Sequence, residues 1–181
     1  PSPRSGHTIT TVGKFHIMFG GLDNLHKKND KLYPNNQVYT MRFQMNNVEF
    51  RLVSCSGDIP LPRVNHGACA IAPDKLFIFG GNYTSQLRFN DAYILRTTDF
   101  QWKQPPNQKS GSEPKNTESK IGATEPRANH SCNFHKGKVY VFGGHGGVGY
   151  QRTSFNDLYT FDCETSEWTK MDDISGNPPW P

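Results

Sequence analysis

One block of sequence recurs three times along the 181 residues, and a chain of repeats folds as copies of a single supersecondary unit. The most complete copy reads Pro126-Arg127-Ala128-Asn129-His130, then Val139-Tyr140-Val141-Phe142 closed by Gly143-Gly144, then Asn156-Asp157-Leu158-Tyr159, and last Trp168. A second copy reads Pro62-Arg63-Val64-Asn65-His66, Leu76-Phe77-Ile78-Phe79-Gly80-Gly81, Asn90-Asp91-Ala92-Tyr93 and Trp102. The first reads Pro3-Arg4-Ser5-Gly6-His7, Ile17-Met18-Phe19-Gly20-Gly21, Val38-Tyr39 and Phe50, with Gln37 where the other copies have Asp. The short apolar run is rich in β-branched and aromatic residues, which predicts a strand buried on both faces. The glycine pair permits the positive φ and close backbone approach needed where such a strand leaves a crowded centre.

Spacing divides each unit into a rigid and a variable half. From the arginine to the second glycine the copies measure 17, 18 and 17 residues (Arg4 to Gly21, Arg63 to Gly81, Arg127 to Gly144). From that glycine to the tyrosine of the third strand they measure 18, 12 and 15 (Gly21 to Tyr39, Gly81 to Tyr93, Gly144 to Tyr159). The connection between units varies most, and variable loops on a rigid scaffold are where binding usually resides.

The order of parts resembles the kelch repeat, with the long Pro-Arg-x-x-His opening similar to that of host cell factor and leucine-zipper-like regulators. The resemblance covers essentially the whole chain. It implies an all-β, kelch-type β-propeller in which each unit is a four-stranded antiparallel blade, here three blades of a larger ring of six. The units are expected over residues 3–55, 62–104 and 126–172, with a mobile connection at 105–125 and the start of a further unit at 175–181. An arginine is expected immediately beyond Pro181, because the final segment resembles Ser56 to Pro62, which Arg63 follows. The repeat's structural residues are Arg4, His7, Gly20, Gly21, Arg63, His66, Gly80, Gly81, Asp91, Trp102, Arg127, His130, Gly143, Gly144, Asp157 and Trp168. The histidines are expected to satisfy buried backbone groups, the aspartates to bond backbone where strand c begins, and the tryptophans to pack between blades. The arginines are expected either to tie blades together or to face a carboxylate ligand.

Bulk properties narrow the function. A net charge of +4 is spread without a long Lys/Arg run, which argues against nucleic acid as a partner. The chain holds no 18-residue apolar stretch and Pro1-Ser2-Pro3-Arg4 does not read as a secretory signal, so no membrane is expected. Cys55, Cys69, Cys132 and Cys163 show no C-x-x-C spacing, which points to a reduced, intracellular protein without a zinc ribbon. Successive blades rotate about an axis, so His7, His66 and His130 should not converge on one metal, and no cofactor is expected. The glycine-rich run from Gly143 to Gly149 lacks the Gly-Lys-Ser/Thr of a phosphate loop and reads as a flexible b–c loop. Ser110, Ser112, Thr117 and Ser119 could make the 105–125 segment a phosphorylated regulator.

The resemblance implies protein–protein recognition by a scaffold, adaptor or regulatory domain, with other proteins bound on the face carrying the b–c and d–a loops. Lys27, Lys28, Tyr33, Tyr83, Arg88, His145, Tyr150 and Arg152 are the candidate contacts, mixing aromatic anchors with positive charge. The alternatives are a propeller carrying metal-dependent oxidase or lyase chemistry, for which His26, Tyr33, Tyr83, His145 and Tyr150 lie in suitable loops, or the regulatory domain of a phosphatase.

Overall fold

The computed structural model describes residues 1–106, 124–147 and 152–172. Every element there is a β-strand, and no helix among these residues is long and apolar enough to cross a membrane. The first unit contains β1 (Arg4–Ser5), β2 (Thr8–Val12), β3 (Phe15–Phe19), β4 (Leu22–Lys28), β5 (Lys31–Pro34), β6 (Val38–Gln44) and β7 (Asn47–Val53). The second has β8 (Ser56–Gly57), β9 (Gly67–Ala72), β10 (Lys75–Phe79), β11 (Ala92–Arg96) and β12 (Gln101–Lys103). The third has β13 (Ser131–His135), β14 (Lys138–Phe142), β15 (His145–Gly146), β16 (Thr153–Ser154), β17 (Leu158–Asp162) and β18 (Trp168–Lys170).

Each unit is an antiparallel meander: β2-β3-β6-β7, β9-β10-β11-β12 and β13-β14-β17-β18. The segment joining units 1 and 2 adds β8 as a fifth strand, parallel to β12, which covers that sheet's outer edge. The first strands lie side by side, β2 against β9 and β9 against β13, and so form the inner rim from which the three blades radiate.

Strand alternation sends the apolar run to two different neighbours. In β10, Leu76 and Ile78 pack toward unit 1 against Val12, Ile17, Phe19 and Val38. Phe77 and Phe79 point the other way, to Val139, Val141 and Phe161 of unit 3. All four β10 residues are fully buried, as a strand covered on both sheet faces requires.

The variable half is more ordered than its spacing suggests. In unit 1 it is a β-hairpin, β4 with β5, that pairs through β4 with β1. Its turn is Asn29-Asp30, both at positive φ (50° and 59°), which Asn and Asp tolerate better than most residues. Lys27, Lys28 and Tyr33 therefore sit on strands rather than in a loop. The same pairing recurs in reduced form in the other units, as the bridges Val64 with Asn82 and Ala128 with His145. The glycine-rich run is likewise not a loose loop where described: β15 pairs with β16. A side chain at Gly146 would strike the Phe155 ring and the Pro126 carbonyl. Residues 107–123, with the four candidate phosphorylation sites, 148–151, with Tyr150, and 175–181 lie outside the described residues.

Candidate functional site

A buried arginine anchors every unit. Arg63 and Arg127 are fully buried, and burial of a guanidinium is tolerable only with its charge matched and its donors filled. Arg63 Nη1 donates to the Gly80 carbonyl (2.9 Å) and pairs with Asp91 Oδ1 (2.6 Å); Nη2 reaches Asp91 Oδ2 (3.1 Å) and Nε the Leu61 carbonyl (3.0 Å). Its guanidinium lies over Phe89 and Tyr93. Arg127 repeats the arrangement with Gly143, Asp157, Glu125, Phe155 and Tyr159. Asp91 and Asp157 thus hold an arginine, where local backbone had been expected as their partner. The charge they neutralise outweighs any backbone N–H they could accept from.

Unit 1 solves the same problem from a different place. Gln37 supplies only a neutral oxygen to Arg4 Nη2 (3.2 Å), and the missing charge comes from Asp23 on β4 (Oδ2 at 3.1 Å). Asp23 also accepts from the Ser2 hydroxyl, His26 Nδ1, Asn35 Nδ2 and the backbone N–H groups of Leu25 and His26. Burial pushes its pKa upward, but the hydrogen bonds from His26, Ser2 and the two N–H groups prevail and hold it at about 2. Sequence reasoning missed Asp23. The signal was Gln37 itself, since a buried arginine that loses its carboxylate must find another.

With the guanidinium groups consumed inside their own units, backbone joins one unit to the next. Gly21 N–H donates to the Arg63 carbonyl and Gly81 N–H to that of Arg127, while Arg63 and Arg127 N–H donate back to Asn35 and Phe89. A second chain of bonds runs Asn129 N–H to Asn65 carbonyl and Asn65 N–H to Gly6 carbonyl. These three residues all have positive φ, and each copy carries Gly or Asn before its histidine, a signal that went unread.

The histidines and tryptophans fill the seams. His66 and Trp102 both pack on Phe19, and His130 and Trp168 both on Phe79. His66 Nε2 bonds the Thr8 hydroxyl of the preceding unit (2.8 Å), so this imidazole has a side-chain partner across the seam where a buried backbone group had been expected. Burial first, then the nearby arginine, lowers the pKa of His66 and of His130 to about 3, leaving both neutral at pH 7. The Cys69 and Cys132 thiols meet in the second seam, 3.6 Å apart. Among the described residues, no three His, Cys, Asp or Glu side chains form a metal-ligating group.

The candidate binding residues fall into two clusters on the face where the b strands end. Tyr33 of unit 1 and Tyr83 of unit 2 bring their rings to 5.9 Å and, with His26, Lys27 and Lys28, line a cavity of about 320 Å³. Arg88, at the other end of the same unit 2 segment, reaches unit 3, where its Nη1 donates to the Gly147 carbonyl as well as to that of Ser85. His145 and exposed Arg152 complete this second cluster: burial and then Arg152 lower the Arg88 pKa, and burial, Arg88 and Arg152 lower that of His145. Segment 82–88 links the clusters by carrying both Tyr83 and Arg88.

Comparison with known proteins agrees with this architecture. The family description KLHDC2/KLHL20/DRC7 Kelch-repeats domain matches residues 6–181. Tip elongation aberrant protein 3 of Schizosaccharomyces pombe is 30% identical over 94% of this chain and 16% of its own length. Dynein regulatory complex subunit 7 of Chlamydomonas reinhardtii is 32% identical over 78% of this chain and 11% of its own. The N-(sulfonatooxy)prop-2-enimidothioate sulfolyase of Thlaspi arvense is 30% identical over 96% of this chain and 45% of its own. This chain therefore spans less than half the length of these relatives. The solved structure of YjhT superposes with a TM-score of 0.69 over 97% of this chain and 54% of that one, at 13% identity.

Proposed function

Since this chain belongs to the kelch-repeat family and has its β-propeller fold, we propose that it is a protein-recognition module that binds its partner on the face where the b strands end. One observation carries the reading: the Tyr33–Tyr83 contact and the Arg88–Gly147 bond join the variable segments of all three units into one surface. Half-buried aromatic residues beside exposed cations are the usual makings of an interface anchor and its rim. The scaffold, adaptor or regulatory roles expected from the sequence all need such a surface, and four unpaired cysteines suit an intracellular setting. Replacing Lys27, Lys28, Tyr33, Tyr83, Arg88, His145 and Arg152 together by alanine should abolish partner capture while leaving the melting transition in place. Unchanged capture by that variant would refute the reading.

We also propose that a further blade covers the open face of unit 1. Ile9, Phe43, Val48, Phe50 and Leu52 are exposed on it, an apolar patch of the kind that marks a contact surface. The sulfolyase relative supports a second reading, a propeller with lyase chemistry in the same loops. Metal loading followed by elemental analysis separates the two, because one tightly held equivalent of iron or copper would favour the enzyme.

A further inference from the structure

Charge on the recognition face is one-sided. Segments 22–34, 82–88, 145–147 and 152–154 contribute His26, Lys27, Lys28, Lys31, Arg88, His145 and Arg152. Their carboxylates are Asp23 and Asp30, and Asp23 is buried on Arg4. Among the described residues, Arg88, His145 and Arg152 form no salt bridge, and after burial the nearness of Arg152 lowers the pKa of Arg88 and that of both arginines lowers the pKa of His145. Like charges held together cost free energy, and a carboxylate from outside would relieve it. Arg88 is also fixed in place: two carbonyls hold Nη1, and Nε is buried with no acceptor. A guanidinium already ordered loses little entropy on pairing with a ligand.

We propose, resting on the reading that this face is the recognition surface, that the partner presents an acidic extended segment: carboxylates on Arg88 and Arg152, and an apolar or aromatic side chain in the cavity against the paired rings of Tyr33 and Tyr83. The spacing of the groups favours a polypeptide over a nucleic acid. His26, Lys27 and Lys28 line the tyrosine cavity itself, and Arg88, His145 and Arg152 form a separate cluster at the far end of segment 82–88, whereas a phosphate backbone is tracked by a continuous basic stripe. A chain carrying one large side chain and several carboxylates matches a face on which an aromatic cavity rimmed by cations adjoins a second cationic cluster.

The test is fluorescence anisotropy on the full chain, with a short labelled polyglutamate peptide carrying one central tryptophan as the probe. Saturable binding is expected, weakening as salt rises and falling about ten-fold in Arg152→Ala. Arg152 is exposed, so this change should leave the fold intact, and Arg152→Glu should remove binding altogether. Tyr83→Ala, or a probe without the tryptophan, should weaken binding at unchanged salt dependence. Binding of an oligothymidylate in preference to the peptide, no binding of the peptide, or equal affinity for Arg152→Ala would each overturn the proposal. If the peptide fails while the seven-residue alanine variant still loses its partner, only the acidic chemistry is wrong. If that variant keeps its partner, the recognition face itself is misplaced.

Discussion

The face that unit 2 turns toward unit 1 and the equivalent face of unit 1 are built alike and fare differently. In unit 2 the rows Ala68, Ile78, Tyr93 and Ala70, Leu76, Leu95, Trp102 lie against Val12, Ile17 and Phe19. In unit 1 the matching rows are Ile9, Met18, Tyr39, Leu52 and Thr11, His16, Met41, Phe50. Trp102 is 1% exposed, while Phe50 at the same place is 38% exposed. The cross-strand partners within these rows correspond, although β9 carries an irregularity beside Lys75 that β2 lacks, so burial here belongs to the pair of blades and not to the strand.

The largest effect that would sharpen this contrast is on Trp102. Trp102→Ala should cost about 3–5 kcal/mol in chemical denaturation, because it opens a cavity against Phe19. Phe50→Ala should cost less than about 1 kcal/mol, as its ring is already partly solvated. Equal losses would break the comparison. In a longer chain whose added blade covers Phe50, as proposed, the two losses should converge.

Next is the arginine hub. Asp91→Ala leaves a fully buried guanidinium without its counter-charge and should cost about 3 kcal/mol or more. Asp23→Ala should cost at least about 1 kcal/mol less, since Gln37 and Asn35 still accept from Arg4. An equal loss measured by urea titration would show that the neutral acceptors do not offset the loss of Asp23 from Arg4 and from its other donors, Ser2, His26, Asn35 and the Leu25 N–H.

Where units 2 and 3 agree, substitutions should agree too. A Cβ at Gly81 would lie 2.7 Å from the Val64 carbonyl, and one at Gly144 would lie 2.7 Å from that of Ala128, both at positive φ. Gly81→Val and Gly144→Val should each cost at least about 2 kcal/mol. A thermal melt unshifted by either change would contradict this geometry.

The most gradual effect comes from acid, because it accumulates over several pH units instead of arising at one substitution. His66 and His130 are neutral when folded, with pKa values near 3, whereas in the unfolded chain they take up protons below about 6.5. The unfolded state therefore binds more protons between those values. Stability should hold above pH 6.5 and fall as pH drops toward 3, by up to about 1.4 kcal/mol per pH unit for each histidine. His66→Phe should flatten that acid limb; an unchanged slope would place the acid sensitivity elsewhere.

The repeat, the all-β class and the buried b strands are legible in residue order, because each rests on local pattern: a short β-branched and aromatic run, a glycine pair, a constant spacing. Residue order also places Arg63, Asp91, Arg127 and Asp157 at matching positions in their units, though not in each other's company. Which groups meet is settled by the folding of the strands against one another. Arg63 and Asp91 are 28 residues apart and join only once strand c folds back beside strand b. Asp23 replaces the carboxylate absent at Gln37 from another strand entirely, and Tyr33 finds Tyr83 across a seam between units. Side-chain pairing, unlike strand formation, depends on distances through space that residue order alone does not contain.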